Sequence, residues 1–201
     1  MRKGAKGSTN YRAMMQRAHL KREIVETLLF VALIFVIVHF SIQTFRIPDA
    51  SMHPALQPDE LVVVNKAAYV IGSPARGDVV VFFDPTDPKL QNLLIERVIG
   101  VPGDTITITP SSVILDGVTL KEPYVSLPVG GSENARIIPS LKLGPNQYFV
   151  MNDFRGQSPD SRTFGAIDRR NIIGKAVLVF WPLSHFGGVS DYSSVFAGIG
   201  K

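Results

Sequence analysis

Ser51 lies in a turn between Pro48 and Pro54, just after the longest apolar stretch of the chain. A serine hydroxyl becomes an effective nucleophile when a neighbouring base accepts its proton. Most serines in such turns make only local hydrogen bonds, so the turn alone does not identify a nucleophile. Its location is more informative, because a nucleophile just outside a bilayer can meet substrates that are themselves embedded in that bilayer.

Few other side chains offer catalytic or metal-binding chemistry in an obvious pattern. His39, His53 and His185 are scattered along the chain and form no plausible triad or metal site. The chain contains no cysteine, so we expect no disulfide, and we expect no metal and no cofactor. The residues Gly100–Asp104 predict a turn and not a phosphate-binding loop, because neither a helix nor a Lys-Ser/Thr pair follows them.

The apolar stretch covers residues 27–45 and contains no Asp, Glu, Lys or Arg. Roughly 20 mostly apolar residues suffice for a helix to cross a bilayer, so we predict a transmembrane anchor here. A buried helix of a soluble core would show a polar face, which this stretch lacks until its end. A cleaved signal peptide is the other alternative, but Arg46-Ile47-Pro48 follows where a small-residue cleavage site is expected.

Charge gives the expected orientation and excludes one class of partner. Residues 1–26 form a tail with seven basic and two acidic residues. Because basic flanks stay cytoplasmic, we expect the N-terminus inside the plasma membrane and residues 46–201 outside, in a single-pass arrangement. Residues 46–201 carry 14 basic and 15 acidic residues, so the basic character of the chain gives no support for nucleic-acid binding by this domain.

Residues 46–201 predict one mostly β domain with antiparallel sheets and long loops. Runs of β-branched and apolar residues are separated by turn residues, and Asp116-Gly117 is typical of a hairpin turn. Residues 125–145 are rich in Gly, Pro and Ser and are expected to form a loop. The predicted strands are 60–66, 78–83, 94–100, 105–109, 113–115, 118–120, 147–151 and 171–181.

Several motifs together resemble those of bacterial type I signal peptidases, also called leader peptidases. The resemblance covers residues 20–182, with the motifs in the right order, and it implies a signal-peptidase-like β domain behind one transmembrane helix. The motifs are Ser51-Met52-x-Pro54-x-Leu56, Arg97-Val98-Ile99-Gly100-Val101-Pro102-Gly103-Asp104, Asn152-Asp153-x-Arg155-x-x-Ser158-x-Asp160-Ser161-Arg162, Gly174-Lys175-Ala176 and Trp181-Pro182.

The resemblance implies a membrane-anchored serine endopeptidase that removes signal peptides from exported precursor proteins, after small residues at positions −1 and −3. Ser51 would be the nucleophile, and its own backbone N–H would help to hold the oxyanion. Ser158 matches a hydroxyl that orients the base, and Asp160 and Arg162 match a supporting ion pair.

Apolar residues around these motifs predict surfaces that face the substrate or the membrane. Met52 and Pro54 are assigned to such a surface next to the Ser51 turn. Trp181, Leu183 and Phe186 are candidates near the C-terminus, because Trp and Phe are favoured at lipid interfaces. Ordinary core packing is the alternative for each of these residues taken alone.

Two residues depart from the resemblance at the expected catalytic centre. Glu96 stands where the family has its general-base lysine, immediately before Arg97. Asp49 stands where the family often has Ser or Thr that helps to bind the oxyanion, and an ionised carboxylate there would repel negative charge. Three interpretations stay open: Glu96 is the base, another base is recruited, or the chain is a non-catalytic homologue that binds precursors or partners.

Overall fold

The computed structural model describes residues 6–126, 137–156 and 159–200. Contacts between residues divide the chain into two units, of which the first ends at Ser41 and the second begins at Ile42.

The first unit is a single helix, α1, over Lys6–Ser41. Its segment Lys21–Ser41 is long and apolar enough to cross a membrane, by length and composition. Apolar side chains are exposed along this segment, as expected for a helix that is apolar all round. The predicted span of 27–45 is helical only as far as Ser41. Residues 42–45 are instead extended, because Ile42, Thr44 and Phe45 are β-branched or aromatic and favour a strand.

The second unit is built from short strands and two one-turn helices, α2 (Ala68–Ile71) and α3 (Ser161–Phe164). Wherever a run of β-branched residues predicted a strand, the observed strand lies close to the predicted position. The unit has twelve strands among the described residues. They are β1 Ile42–Arg46, β2 Leu61–Asn65, β3 Val79–Phe83, β4 Leu93–Gly100, β5 Thr105–Ile108, β6 Val113–Leu115, β7 Val118–Thr119, β8 Ile138–Lys142, β9 Gln147–Met151, β10 Ile167–Asp168, β11 Ile172–Trp181 and β12 Gly187–Gly188.

These strands form two antiparallel sheets, which confirms the predicted mostly β fold class. The larger sheet has the order β1-β2-β11-β3-β4-β9-β10, with β12 paired to β11. The smaller sheet has the order β7-β6-β5-β8. Strand β8 lies inside residues 125–145, which the Gly, Pro and Ser content predicted to be a loop. The prediction is wrong for Ile138–Lys142, and residues 127–136 of the same stretch lie outside the described residues.

Side-chain alternation along β3 and β4 separates two cores. Val79, Val81 and Ile95 lie on one face and pack with the segment that precedes β2. Val80, Phe82, Leu94 and Val98 lie on the other face and pack with residues of β9, β10 and α3. Because successive residues of a strand point to opposite faces, Glu96 shares its face with Leu94 and Val98. The smaller sheet has its own core, which also includes Ile99, Phe149 and Met151.

Candidate active site

The Ser51 turn is held by backbone hydrogen bonds at the serine and just after it. The backbone O of Ser51 accepts from Phe154 N at 2.8 Å, which fixes the turn to the segment after β9. Further along, Met52 O accepts from Leu56 N at 2.9 Å. The residue Ser51 is only 5% exposed. The turn therefore has a defined backbone conformation next to the third motif.

Two apolar residues of the first motif anchor this turn to the core. Met52 and Leu56 are both fully buried and belong to the cluster that contains Ile47, Val79 and Ile95. The expectation that Met52 faces the substrate or the membrane is therefore wrong, because its unbranched side chain fills the core beneath the turn. Pro54, by contrast, is exposed. Its assignment to a substrate-facing or membrane-facing surface stays a prediction.

Asp49 lies in the same turn and binds the backbone N–H of the candidate nucleophile. Its Oδ1 accepts a hydrogen bond from Ser51 N at 2.8 Å. An Asp side chain that accepts from the N–H two residues further on forms an Asx turn, which stabilises local backbone conformation. Asp49 itself is exposed to solvent. Its carboxylate thus occupies the donor that the resemblance assigns to the oxyanion.

Glu96 lies in the middle of the larger sheet, on β4 and opposite Val80 of β3. It is 1% exposed. Its Oε2 atom has no hydrogen-bond partner among the described residues, so it is not bonded to the Ser51 hydroxyl. A buried carboxyl oxygen without a hydrogen-bond partner makes the anion costly, so Glu96 is an unusual group at this position.

Burial is the main reason why the pKa of Glu96 lies well above the ordinary value of a carboxyl group. The nearby carboxylates of Asp160, Asp84 and Asp49 raise this pKa further, whereas the Arg162 guanidinium opposes the shift. Asp49, Glu96 and Asp160 therefore share one electrostatic environment, although they lie far apart in the sequence. In this environment Glu96 retains its proton to a higher pH than a solvated glutamate.

The third motif forms a compact ion pair at the start of α3. Asp160 Oδ2 lies 2.7 Å from Arg162 Nη2, and the pair is largely buried. Asp160 also accepts from Asn152 N at 3.2 Å and from Arg162 N at 2.9 Å. The side chain of Ser161 accepts from Val150 N of β9 at 3.0 Å. Asp160 therefore ties the start of α3 to the end of β9, whereas an exposed pair of this kind would contribute little.

Ser158, the residue expected to orient the base, lies outside the described residues. On the N-terminal side of Ser158, Arg155 Nε donates to Asn152 O at 2.8 Å. Arg162 Nη2 in turn donates to Arg155 O at 2.9 Å. The chain before and after Ser158 is thus held by the same ion-pair network, and the supporting role of Ser158 stays a prediction.

Arg97, which directly follows Glu96, is the centre of a buried network. It is fully buried and binds Asp153 with two hydrogen bonds of 2.9 and 2.7 Å. The rings of Tyr124 and Tyr192 lie 4.6 and 5.0 Å from its guanidinium carbon. Its Nη1 atom donates to the carbonyl oxygen of Ser190 at 2.8 Å. This network fixes the strand that carries Glu96 and is built from residues far apart in sequence.

No role was predicted for Arg97 or Asp153, although both belong to the motifs. For Arg97, the available signal was a pair of charged residues, Glu96 and Arg97, inside an otherwise apolar strand, because charged residues are rarely buried without a partner. The partner itself could not be predicted, since 56 positions separate the two residues.

The end of β11 carries an exposed apolar group of side chains. Trp181, Leu183 and Phe186 are 54%, 71% and 61% exposed. Core packing, the alternative explanation for these three residues, is therefore wrong. Large exposed apolar side chains so near one another in sequence are typical of an interaction or membrane surface.

The part of the chain that the structure describes contains no group of three or more His, Asp or Glu side chains that could hold a metal ion. The groups that the site does offer are a turn serine, its backbone N–H, and a buried carboxyl group with a raised pKa. These groups are suited to acyl transfer, in which a hydroxyl attacks a carbonyl and an N–H stabilises the resulting oxyanion.

Comparisons with known proteins give the family. A family model for signal peptidase, peptidase S26, matches residues 20–181. Signal peptidase I of Leptolyngbya laminosa is 35% identical over 168 residues, covering 76% of this chain and 77% of that protein. Signal peptidase IB of Staphylococcus aureus strain COL is 33% identical over 184 residues, covering 83% and 94%. A solved signal peptidase I from Enterococcus faecalis V583 is 28% identical and covers 52% of this chain and 97% of that one, with a TM-score of 0.44. This chain belongs to the signal peptidase family, peptidase S26.

Proposed function

We propose that this protein is a membrane-anchored serine endopeptidase that removes signal peptides from exported precursor proteins, with Ser51 as the nucleophile. The observation that carries the proposal is the fixed position of Ser51. Its turn is anchored in the core by Met52 and bonded to the third motif through Phe154 N. Membership of the signal peptidase family supports the same activity.

In this mechanism, Ser51 Oγ forms a bond to the carbonyl carbon of the scissile peptide bond while its proton passes to a base. The carbonyl oxygen becomes an oxyanion, which Ser51 N–H would stabilise as a backbone donor. The carbon–nitrogen bond then breaks, and the new N-terminal amine of the mature protein leaves with a proton. Water hydrolyses the remaining ester, and the signal peptide is released with a free carboxylate.

Glu96 is the base that we propose, because it stands directly before Arg97 and shares an electrostatic environment with Asp49 and Asp160. A general base works best when its pKa lies near the operating pH, and the raised pKa of Glu96 moves it in that direction. Only the ionised form of Glu96 can accept the Ser51 proton. The cleavage rate is therefore expected to rise with pH until Glu96 is fully ionised.

The remaining motif residues would support the reaction. We assign to Ser158 the orientation of the base, and to Asp160 and Arg162 the fixation of the segment that carries Ser158. Two contacts of Asp160 support this assignment. Its ion pair of 2.7 Å with Arg162 holds the start of α3, and the hydrogen bond that it accepts from Asn152 N joins α3 to the end of β9.

The helix α1 would anchor the protein in the plasma membrane with the N-terminus in the cytoplasm, in keeping with the basic residues before its apolar part. The β domain would then lie outside. Trp181, Leu183 and Phe186 would contact the lipid bilayer, which their exposure supports. Protease added to intact spheroplasts should digest the β domain and spare residues 1–26, whereas protection of the β domain would contradict the orientation.

The test of the proposal is precursor cleavage by the full chain reconstituted in lipid vesicles. The substrate is a precursor with an Ala-x-Ala site, and wild type is compared with Ser51→Ala. Ser73→Ala is the matched control, because Ser73 is an exposed serine outside all the motifs. The proposal predicts loss of cleavage in Ser51→Ala alone. Undiminished cleavage by Ser51→Ala would exclude Ser51 as the nucleophile.

A second candidate function is precursor binding without cleavage. It is favoured by the raised pKa of Glu96, because a protonated carboxyl group cannot accept the serine proton. In that case wild type is inert at every pH at which it is folded. Cleavage that appears only in the double variant Glu96→Lys with Asp49→Ser would identify the chain as a non-catalytic homologue.

A further inference from the structure

The backbone N–H of Ser51 already has a partner within its own turn. Asp49 Oδ1 accepts from Ser51 N at 2.8 Å, a short distance for a hydrogen bond of this type. We propose that Asp49 is an autoinhibitory residue, whose carboxylate occupies the donor that the oxyanion of the acyl-transfer reaction needs. This inference rests on the proposed role of Ser51 and adds a self-blocking contact to the same site.

The contact opposes catalysis in two ways. A backbone N–H has one hydrogen, so the bond to Asp49 has to break or weaken before the N–H can stabilise an oxyanion. A carboxylate that stays beside the oxyanion also repels its developing negative charge. Preorganised donors matter because they point at the place where charge develops in the transition state. With Asp49 bound, Ser51 N–H points at the carboxylate of Asp49, which is already present before the reaction begins, and not at the oxyanion.

The size of the inhibition follows from the strength of the hydrogen bond between Ser51 N and Asp49. A hydrogen bond to a charged group has a net contribution that corresponds to a change of roughly 10-fold to 100-fold in an equilibrium constant. The exposure of Asp49 places the effect toward the lower end of this range, because water replaces the Ser51 N–H as its partner. We therefore expect an increase in kcat of about 10-fold when the carboxylate is removed.

Other contacts hold the turn when Asp49 leaves the N–H. Its side chain is exposed and, within the described ranges, makes no other hydrogen bond or ion pair. The turn keeps the bond from Phe154 N to Ser51 O, the bond from Leu56 N to Met52 O, and the buried Met52 side chain. A substrate, a lipid-bound state of the protein or a substitution can thus displace the carboxylate while the nucleophile stays in place.

Three variants of the full chain in lipid vesicles separate the effect of the hydrogen bond to Ser51 N from the effect of the negative charge of Asp49. Asp49→Ala removes the acceptor and the charge. Asp49→Asn removes the charge but keeps a side-chain oxygen that can accept from Ser51 N. Asp59→Asn is the matched control, because Asp59 is an exposed aspartate that pairs with Arg46 and has no contact with Ser51.

For precursor cleavage, we expect kcat to rise about 10-fold in Asp49→Ala, with KM nearly unchanged, because the oxyanion exists only in the transition state and the intermediate. The kcat of Asp49→Asn should rise less than that of Asp49→Ala, and the kcat of Asp59→Asn should equal that of wild type. An unchanged kcat in Asp49→Ala would overturn the proposal. A lower kcat would also overturn it, since Asp49 would then assist the oxyanion.

A binding measurement tests the block without any cleavage. The probe is a signal peptide that ends in Ala-x-Ala with a free C-terminal carboxylate, compared with the same peptide as a C-terminal amide. A carboxylate oxygen can take the position of the oxyanion on Ser51 N–H and is repelled by Asp49. We expect Asp49→Ala to bind the acid about 10-fold more tightly than wild type does and the amide equally well. Equal affinity of wild type and Asp49→Ala for the acid would overturn the proposal.

The two measurements also distinguish this proposal from the proposed function. If no variant cleaves precursor but Asp49→Ala gains affinity for the peptide acid, the block exists and the catalytic role of Ser51 with Glu96 is wrong. If wild type cleaves, and Asp49→Ala changes neither kcat nor the affinity for the acid, the peptidase function stands and the block is wrong.

Discussion

Replacing Glu96 by Gln should stabilise the β domain at neutral and alkaline pH while it abolishes the proposed catalysis. Glu96 is 1% exposed, and its Oε2 atom has no hydrogen-bond partner among the described residues. Ionising such a group costs free energy that the surroundings offset only in part, through the Arg162 guanidinium. Gln has nearly the same shape and cannot ionise, so the substitution removes the cost.

The direction and size of this effect follow from the pKa shift. Burial first, and then the carboxylates of Asp160, Asp84 and Asp49, raise the pKa of Glu96 well above its value in the unfolded chain. The folded state therefore binds more protons than the unfolded state between the two pKa values, and stability falls as pH rises through this interval. The loss is about 1.4 kcal/mol for each unit of the shift and is complete above the raised pKa.

The assay is urea unfolding of the full chain in detergent micelles at pH 5 and pH 8. Near-ultraviolet circular dichroism reports on the buried tyrosines Tyr69, Tyr124 and Tyr148 of the β domain. Relative to wild type, Glu96→Gln should gain stability as pH is raised from 5 to 8. The gain should be about 1.4 kcal/mol for each pH unit between 5 and 8 that lies above the pKa of Glu96 in the unfolded chain and below its raised pKa in the folded chain.

Glu60→Gln is the matched control, because Glu60 is also buried but has partners. Its Oε1 lies 2.7 Å from His185 Nδ1, and its Oε2 accepts from Gln57 N at 2.9 Å. Removing one oxygen from this arrangement should cost about 1–3 kcal/mol. A Glu96→Gln variant that is less stable than wild type at pH 8, or equally stable at both pH values, would refute the reasoning about Glu96.

The remaining predictions concern the supports of the site and its pH dependence. Met52→Ala should cost about 2–5 kcal/mol in urea unfolding, because the residue is fully buried, and a smaller cost would place Met52 outside the tight core. Asp153→Asn should cost about 3–5 kcal/mol, because it leaves the charge of Arg97 buried without its partner, and a neutral result would contradict that pairing. Ser158→Ala should lower kcat about 100-fold with unfolding unchanged, whereas a larger loss of stability than of activity would indicate a structural role. Precursor cleavage should be lost as pH falls through the raised pKa of Glu96, and a rate that increases toward acidic pH would exclude Glu96 as the base.

The sequence predicted the strands of the larger sheet wherever hydrophobic runs were continuous. β2, β3, β4 and β11 follow β-branched runs, and all four were expected within a residue or two of their observed bounds. β1 was missed because its residues continue the apolar stretch of α1, and composition alone cannot separate the end of an apolar helix from an apolar strand. β8 was missed because Pro139 and Ser140 interrupt it, although it pairs with β5.

For the site, the motifs predicted which residues matter but not how they are connected. The proximity of Asp49, Glu96 and Asp160 was expected only from the resemblance, and their mutual influence on the pKa of Glu96 depends on burial that no local pattern encodes. The hydrogen bond between Asp49 and Ser51 N is local and could have been predicted as an Asx turn. The exposure of Met52 was predicted incorrectly, because an apolar residue beside a nucleophile fits a surface or a core equally well.

The central claim, that Ser51 is the nucleophile, is tested most directly by chemical modification of Ser51→Cys. The chain contains no cysteine, so N-ethylmaleimide can react with a thiol at this position alone. Precursor cleavage by Ser51→Cys in lipid vesicles should be abolished once peptide mapping shows complete alkylation, while treated wild type retains its activity. Continued release of the signal peptide by the fully alkylated variant would contradict the account.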